Sequence, residues 1–502
     1  MTTSLIKSFD VLAREEWGQD FGSAAALAEF GINRGHIQKA MASQPVGGAS
    51  FGDFTALRLE DLDPTMVSVL FKGVHLKLQR WLPRAVARQV QWEYNVQKDY
   101  GSMRGAAGFA EGRGPAGGNS SFERRIANIM FLGRQGGLTH QSSVQGPGMQ
   151  LDPVAKENSD RTMELLGTVE REMIWGDQDF KDQNANTVMY DGLFRQIKNG
   201  WRDVSGTLIA PQDTATNVIN MKGNPINFDV LEQIGYVLAD QRFVLSFDKV
   251  KAFMGGAVAS DFATLLRQAD RRVLGGQGSQ PDGGYVPGAP AKGFLTQFGY
   301  IPFEHSTFMD PVPGKRPLVS GTTEGVSPLA GATINSVTAG AGGNGELPAA
   351  TYYYAVSAVY TGGETLASAA SSGAVVTTVN NQVVVSVARP SATPDASLRG
   401  YRLYRGTTNV VADMRWVANV ADPRVGTNFT ALTDTNQIIP GTDIMLVLEG
   451  SPENIAVPQL APLMRFNLPP VETTLPFYLL LYHTLVVKVP TRQFLVYNIG
   501  RL

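Results

Sequence analysis

The sequence predicts an α+β protein with an all-β sandwich inserted into it, and three observations carry this prediction. An amphipathic helical pattern runs from Pro153 to Trp175, with start and stop signals at its two ends. Helical and strand-like segments are mixed before residue 327 and after residue 443. Between these positions the chain contains only short alternating runs of Thr, Val, Ala, Gly and Tyr, which is typical of a β-sandwich.

Composition excludes several classes of function. Lys plus Arg total 43 and Asp plus Glu total 45, so the net charge of -2 provides no global attraction for nucleic acid or anionic lipid. Cysteine is absent, which excludes disulfides, thiolate metal sites and a cysteine nucleophile. The stretch Met1 to Asp10 lacks the apolar segment of a secretory signal. The most apolar run, Leu475 to Val489, is shorter than the roughly 20 residues of a bilayer span. We therefore expect buried strands there, and no membrane partner.

The N-terminal segment contains short helical pieces, such as "GSAAALAEF" and "RGHIQKAM", without a sustained apolar face, which is typical of an arm that packs on a partner surface. A basic stretch follows, in which Arg80, Arg84 and Arg88 form a cluster. Pro83 stands where a short helix can start, and such a helix would place Arg84 and Arg88 on one face. Two interpretations of this face stay open: a solvated helix surface, or a contact site for acidic neighbours or DNA.

An extended hairpin is predicted next. Two strand-like runs, Val90 to Val96 and Ile126 to Leu138, flank a segment rich in Gly, Ser and charged residues. A two-stranded ribbon is only marginally stable alone in water. We therefore expect another surface to cover this ribbon, most simply a neighbouring copy of the chain.

The clearest helix has Asp152 as its N-cap and Pro153 in the first helical position, and Gly176 ends it. Its predicted apolar stripe consists of Met163, Leu166, Val169 and Met173. Further along, "YDGLFRQI" and "NFDVLEQIGYVLAD" predict two helices, the second capped by Asn227. The pattern then predicts a strand in "RFVLSF", helices in "DKVKAFM" and "DFATLLRQADRRVL", and a strand pair in "FLTQFGYIPFEHS".

The inserted segment contains "TYYYAVSAVYTGGETLAS", residues 351–368, which alternates aromatic and small side chains before a Gly-Gly turn. Successive strand residues point to opposite faces. One face is therefore expected to hold Tyr352, Tyr354, Val356 and Ala358. The other face is expected to hold Tyr353, Ala355 and Ser357. Mixed sequence resumes after Ile444 and ends in "FLVYNIGRL", a predicted strand, so the sandwich is an insertion and not a tail.

The sequence contains no catalytic constellation. "GGASFG" has the formal pattern of a nucleophile elbow around Ser50, but it follows no strand pattern and no helix begins there. Asp177, Asp179 and Asp182 lack the Gly and Glu of an EF-hand loop, so a solvated acidic turn is expected. "GGQGSQPDGG" lacks the spacing of a phosphate-binding loop, and the 5 histidines lack zinc-type spacing. We expect no enzyme activity, no cofactor and no metal.

The order of these parts resembles that of major capsid proteins of tailed double-stranded DNA bacteriophages, which have the Hong Kong 97-type fold. The segments that carry the resemblance are "FERRIANIMFLGRQGGLTHQSS", "YDGLFRQI", "VLEQIGYVLADQRFVLSFDKVKAFM", "GYVPGAPAKGFLTQFGYIPF" and "PFYLLLYHTLVVKVPTRQFLVYNIG". The resemblance covers residues 1–320 and 445–502. The inserted segment resembles immunoglobulin-like or fibronectin type III modules in "YYYAVSAVYTGGETLAS" and "GYRLYRG".

The resemblance implies a domain order. Residues 1–90 would form the N-terminal arm and the start of a peripheral domain, and 91–141 an extended loop. Residues 142–183 would complete the peripheral domain with its spine helix, 184–326 the axial domain, 327–443 the insertion, and 444–502 the return to both domains. The candidate inter-subunit contacts that it implies are Trp92, Lys98, Arg113, Glu123, Arg124, Arg125 and Arg134.

The function that the resemblance implies is a structural shell protein that self-assembles, as hexamers and pentamers, into an icosahedral capsid with the insertion as an exterior knob. Expected partners are further copies of the chain, a portal, scaffold or decoration proteins, and packaged double-stranded DNA held non-specifically on the inner face. The expected location is the virion, after assembly in the host bacterial cytoplasm. No cleaved scaffolding segment is expected, since the early segment is neither long nor highly charged.

Other function classes stay open. An encapsulin-type nanocompartment shell would enclose a cargo enzyme instead of a genome, and a tail-tube or sheath component would form extended tubes. A secreted adhesin built from sandwich modules is disfavoured by the missing signal sequence. The knob itself has two interpretations: passive contacts between subunits, or weak binding to glycans or host surfaces multiplied by copy number.

Overall fold

The structure is a computed structural model. It describes residues 70–101, 109, 111, 113, 118–145, 152–182, 187–202, 208–209, 217–241, 247–273, 292–320, 330–340, 345–378, 381–391 and 395–502. The predicted N-terminal arm, the pattern around Ser50, the "GGQGSQPDGG" loop, most of the hairpin tip and most of "RFVLSF" lie outside these residues. Residues Phe71–Leu502 form one compact unit, and the fold below is that of this unit.

The α-helices are short except for two. In chain order they are α1 Lys77–Trp81, α2 His140–Gln145, α3 Pro153–Trp175, α4 Leu193–Asn199, α5 Phe228–Tyr236 and α6 Gly256–Val273. A turn of π-helix, Val237–Gln241, continues α5.

The strands form four larger sheets and two separate pairs within the described residues. The first ten are β1 Arg84–Val86, β2 Gln91–Asp99, β3 Ser121–Asn128, β4 Met130–Thr139, β5 Trp201–Arg202, β6 Leu208–Ile209, β7 Val218–Asn220, β8 Val250–Met254, β9 Gly293–Thr296 and β10 Gly299–His305. Those of the inserted segment are β11 Thr333–Gly340, β12 Thr351–Tyr360, β13 Gly363–Glu364, β14 Ala374–Val375, β15 Gln382–Ala388, β16 Leu398–Gly406, β17 Arg415–Ala421 and β18 Asn428–Asp434. The last five are β19 Asp443–Glu449, β20 Ile455–Asn467, β21 Thr474–His483, β22 Val486–Val487 and β23 Phe494–Ile499.

The predicted spine helix is confirmed as α3. The Asp152 carboxylate accepts a hydrogen bond of 2.9 Å from the backbone N–H of Val154, and Gly176 follows the last helical residue. Val169 and Met173 of the predicted stripe are buried, whereas Met163 and Leu166 are half-buried. The buried face therefore lies slightly around the helix from the predicted one and includes Leu165, Gly167, Glu170 and Ile174.

A five-stranded sheet packs against α3, with the order β1-β20-β21-β4 and β22 paired to β20. Here the predicted helix after Pro83 is wrong, because Arg84–Val86 is strand β1, parallel to β20. A residue before proline avoids the helical region, so α1 ends before Pro83 and the chain leaves it extended. The backbone N–H of Val457 then donates to the Pro83 carbonyl at 2.9 Å. This pairing separates Arg84 from the helical arginine Arg80.

A six-stranded sheet has the order β7-β23-β19-β8-β10-β9. The helix predicted for "DKVKAFM" is wrong, because Val250–Met254 forms β8 between β19 and β10. Val250 and Ala252 pack in one apolar cluster, and Phe253 packs in another on the opposite face. A strand buried on both faces loses the simple alternation that marks a half-exposed strand. The helices α4, α5 and α6, the strand pair β9–β10 and the terminal strand β23 are as predicted.

The inserted segment forms two facing sheets, β11-β15-β18 and β13-β12-β16-β17 with β14 paired to β12. The predicted alternation of β12 is confirmed: the cluster between the sheets includes Tyr352, Tyr354, Val356 and Ala358. On the opposite face, Ala355 joins Val312, Tyr404, Met414 and Trp416 in a second cluster, with Tyr353 packed against it. The two-sheet architecture therefore has a second apolar face. Its likeness to an immunoglobulin or fibronectin module stays a prediction.

This second apolar face of the sandwich packs against the rest of the chain. Trp175 at the end of α3 packs edge-on against Trp416, with ring centroids 5.2 Å apart. The Trp175 indole N–H also donates to the Met309 carbonyl at 2.9 Å. Arg134 of β4 donates to the Thr361 carbonyl at 2.7 Å, beside the sandwich turn. Apolar and polar contacts together hold the sandwich against the spine helix. Among the described residues, no helix is long and apolar enough to cross a membrane.

Candidate assembly surface

Strands β2 and β3 form a separate two-stranded sheet, which is called the ribbon below. The rest of the compact unit is called the body. The two strands pair in an antiparallel register from Gln91 opposite Asn128 to Gln97 opposite Phe122. No third strand joins them anywhere in the part of the chain that the structure describes. A hairpin was predicted with Val90 to Val96 and Ile126 to Leu138 as its strands, and the first strand is confirmed as β2. The second is corrected: β2 pairs with β3, Ser121–Asn128, whereas Met130–Thr139 is β4 of the five-stranded sheet and pairs with β21. Within the described residues no other strand lies along either edge of the ribbon, and an open strand edge can pair with a further chain.

The far end of the ribbon exposes large aromatic side chains. Tyr100 is 79% exposed, Phe109 is 61% exposed and Phe122 is 67% exposed. The Asp99 carboxylate holds the two strand ends together, because it accepts hydrogen bonds from the Ser121 hydroxyl at 2.6 Å and from the Gly101 backbone N–H at 3.0 Å. These hydrogen bonds lower the pKa of Asp99. Hydrogen bonds therefore join the strand ends, and within the described residues the neighbouring aromatic side chains present exposed apolar area.

The near end of the ribbon contacts the body. Trp92 stacks on Tyr94 with centroids 5.3 Å apart, and the Lys488 ammonium lies 5.3 Å from the Trp92 ring centroid. Arg125 is only 8% exposed and donates to the Lys488 carbonyl at 3.2 Å. Burial raises the pKa of Tyr94 to about 12, against the opposing influence of the neighbouring Arg125 charge. This end is therefore packed against the rest of the chain, with Arg125 as its buried side chain.

The predicted contact residues fall into three groups. Lys98 and Arg125 form ion pairs of 3.1 and 3.2 Å with Glu123, and Arg124 pairs with Glu93, all within the ribbon. Arg113 lies near the tip and is exposed. Arg134 is not on the ribbon at all: it lies on β4, where it pairs with Glu164 at 3.3 Å. Inter-subunit contact by these residues stays a prediction.

The basic cluster Arg80, Arg84 and Arg88 is exposed, and no ion pair involves any of the three within the described residues. Only Arg80 lies on a helix, so the single helical face that was predicted does not exist. The predicted solvated acidic turn is corrected as well. Arg195 of α4 forms ion pairs with Asp177, Asp179 and Asp191. These ion pairs connect the turn to α4.

Sequence reasoning missed a second exposed surface, the outer end of the β20–β21 hairpin. Its exposed apolar side chains are Leu463, Phe466, Val471, Leu475 and Tyr478. The run from Leu475 to Val489 was predicted as buried strands, and β21 and β22 are indeed strands with buried residues. The period-2 alternation at Leu475 to Tyr478 is interrupted by two adjacent buried residues, so the pattern did not reveal which side chains face outward.

A cavity of about 360 Å³ lies in the seam between α3, β4 and the sandwich. Its charged lining consists of Arg134, Arg171, Glu172, Glu364, Arg399 and Arg402. Burial raises the pKa of Glu172 to about 7, against the attraction of Arg134, Arg171 and Arg402. No group of three or more potential metal ligands occurs among the residues that the structure describes. The buried His483 is hydrogen-bonded to Tyr190 at 3.2 Å and serves packing.

Comparison of the sequence with protein-family models gives no match, and comparison with curated proteins gives none either. Solved structures with a similar chain path do exist. A cyanophage capsid is 9% identical with a TM-score of 0.43, covering 89% of this chain and 95% of that one. The capsid of a native GTA particle is 9% identical with a TM-score of 0.41, at 89% and 99% coverage. A holo-encapsulin complex from Synechococcus elongatus is 8% identical with a TM-score of 0.40, at 90% and 97% coverage. Similarity at this level does not identify a family.

Proposed function

We propose that this protein is the major capsid protein of a tailed double-stranded DNA bacteriophage and that it builds an icosahedral shell from copies of itself. The ribbon is the observation that carries the proposal. It pairs with no further strand in the described chain, and it exposes Tyr100, Phe109 and Phe122 at its far end while its near end is fixed to the body. A formed apolar arm of this kind is stabilised when a neighbouring copy covers it.

The sequence order supports the same proposal, because the arm, ribbon, spine helix and returning C-terminal strands follow one another as in the capsid proteins that the sequence resembles. Hexamers and pentamers, a portal, scaffold or decoration proteins, and DNA on the inner face belong to this proposal. So does an exterior position of the sandwich. Large aromatic side chains in the centre of an interface supply much of its binding free energy, which gives the exposed ribbon aromatics a direct role.

The first experiment is expression of the full chain alone, followed by sedimentation and negative-stain microscopy. Closed shells are the expected result. A monodisperse monomer at micromolar concentration would refute the proposal, because the ribbon would then be stable uncovered. Extended tubes would indicate a tail component, and shells purified with a cargo protein and without nucleic acid would indicate a nanocompartment.

A matched pair of substitutions tests whether the ribbon makes the contact. Phe122→Asp places a charge on the ribbon, and Val425→Asp places the same charge on a side chain of the inserted segment that is 77% exposed. Neither site is buried, so both variants should fold. We expect Phe122→Asp to abolish shells and Val425→Asp to leave them unchanged. Equal shell yields from both variants would exclude the ribbon as an assembly contact.

A further inference from the structure

We propose that Arg125 is a positioning residue that fixes the direction in which the ribbon leaves the body, so that the arm is oriented before it meets a neighbour. The identity of that neighbour rests on the proposed function, whereas the orientation itself is a property of the single chain. Arg125, Tyr94, Trp92 and Lys488 are called the ribbon anchor below.

The burial of Arg125 is the first observation. A two-stranded ribbon cannot bury a side chain by itself, and the adjacent Arg124 side chain is 65% exposed. Arg125 is nevertheless only 8% exposed, so the body must provide the cover. A guanidinium group is costly to remove from water unless its donors are used. Here one donor binds the Lys488 carbonyl at 3.2 Å and another binds the Glu123 carboxylate at 3.2 Å.

The second observation is that the body side of the anchor is itself fixed. The Lys488 backbone N–H donates to the Asn454 carbonyl at 2.8 Å, and its ammonium donates to the Pro452 carbonyl at 2.6 Å. The same ammonium lies 5.3 Å from the Trp92 ring centroid, a cation–π distance. The ribbon therefore contacts the body through a side chain of its own, and the body contacts the ribbon in the same way. Arg125 binds the Lys488 backbone, and the Lys488 side chain covers a ribbon ring.

The third observation concerns what lies beside the anchor. A polar cavity of about 80 Å³ occupies the base of the ribbon, with lining residues that include Gln91, Asn128, Gln178, Asp191 and Thr484. A cavity of this size and polarity has room for ordered water. The base of the ribbon combines this polar cavity with the buried apolar side chains of Ile129 and Met130, so the direction of the ribbon also depends on specific polar contacts. The anchor supplies those contacts.

Orientation in the free chain affects assembly through entropy. An arm that is already held in its bound direction loses less conformational freedom on docking than an arm that swings freely. The anchor contacts described above lie within one chain, so they can form before a second copy binds. Removal of the Arg125 side chain should therefore broaden the range of ribbon directions and slow assembly, while the apolar end of the ribbon stays intact.

The test uses the absence of native cysteine, which makes spin labelling specific. Labels at Asn119→Cys near the ribbon end and Ser159→Cys on α3 report the distance between ribbon and body by pulsed electron resonance in the unassembled chain. We expect a narrow distribution for the unsubstituted anchor and a broad one for Arg125→Ala. Arg124→Ala, the matched control on the same strand, should stay narrow. Arg125→Lys should be intermediate, because an ammonium keeps the charge but lacks the planar guanidinium whose separate nitrogens bind the carbonyl and the carboxylate.

Circular dichroism establishes that each variant is folded, and Trp92→Leu provides a second disruption of the anchor if Arg125→Ala fails to fold. An unchanged distance distribution in folded Arg125→Ala would overturn the positioning role. For assembly we expect closed-shell yield to fall about tenfold or more in Arg125→Ala at equal concentration. Full yield despite a broadened distribution would overturn the link between orientation and assembly. A broadened distribution in a chain that never forms shells would instead refute the proposed function and leave the positioning role intact.

Discussion

Glu172 gives the seam between the spine helix and the sandwich a pH-dependent stability. Its side chain lines the seam cavity and is half-buried, and no ion pair of its own is found within the described chain. The charged groups around it come from every packed element: Arg171 from α3, Arg134 from β4, and Arg402 and Glu364 from the sandwich. Arg134 pairs with Glu164, and Arg402 pairs with Glu364, so each of these two cations has a carboxylate partner other than Glu172.

The direction of the pKa shift of Glu172 determines whether stability rises or falls with pH. The pKa of Glu172 rises from 4.5 to about 7 in the folded state, mainly through burial. Below pH 4.5 the carboxyl is protonated in both states, and its contribution to stability is fully present. As the pH rises through 7, the folded state must carry a poorly hydrated charge, and this contribution is lost. The pKa shift corresponds to a change of roughly 3 kcal/mol in the free energy of unfolding. Because the side chain is only half-buried, we expect about 1–2 kcal/mol.

The assay is urea unfolding of the unassembled chain at pH 5 and pH 8, followed by circular dichroism. Between these two pH values the parent chain should lose about 1–2 kcal/mol more stability than Glu172→Gln, which cannot ionise. Asp160→Asn, an exposed substitution on the same helix whose carboxylate pairs with Lys156 and not with a cation near Glu172, should keep the pH dependence of the parent. Identical pH dependence in the parent and in Glu172→Gln would refute the reasoning, since all other titrating groups are common to both proteins.

Three further substitutions test the packing. Glu170→Ala removes a buried carboxylate that accepts hydrogen bonds from two backbone N–H groups at the start of α1. The substitution should lower the free energy of urea unfolding by about 3 kcal/mol. A loss below about 1 kcal/mol would contradict this role. Arg405→Ala leaves a buried carboxylate unpaired in the sandwich and should cost about 3–5 kcal/mol, with a lower thermal midpoint as the readout. Gly450→Ala places a Cβ 2.5 Å from the Trp81 ring and should cost about 1–3 kcal/mol. A Cβ added at Gly362 would have no neighbouring atom within 4 Å, so Gly362→Ala is the control and should leave stability unchanged.

Local signals determined how much of the fold the sequence could predict. The spine helix was predictable because its cap, first proline and final glycine all lie within the element. Strand β1 was not, because its three residues pair with β20, which lies at the other end of the chain. Strand β8 was missed because both of its faces are buried and Lys251 interrupts the apolar run, where it pairs with Glu304 at 3.2 Å.

The same limit applies to the candidate site. Strand β2 of the ribbon was predictable from its alternation. Strand β3 was not, because the predicted second strand lies mostly on β4, which continues almost directly from β3 into the five-stranded sheet. The different environments of Arg124 and Arg125 were not predictable, because neighbouring positions in a strand simply point to opposite faces. Lys488, far along the chain, contacts Arg125, which is buried, whereas Arg124 stays in solvent. A position that looks like an ordinary surface charge in sequence is therefore the part of the ribbon that the body holds.

The insertion shares its packing with the body, and this changes what can be inferred about its role. Trp175, Val312 and Trp416 form a common apolar contact between the spine helix, the preceding segment and the sandwich. Arg134 adds a hydrogen bond from β4 to the same seam. A knob attached only by its two chain ends could be removed without exposing apolar surface, but this one covers Trp175. Its position relative to the spine helix is therefore fixed within the chain. In the proposed shell, any surface of the sandwich would then be repeated in one orientation. That geometry suits both passive contacts between subunits and weak binding multiplied by copy number, because either role requires many copies aligned alike.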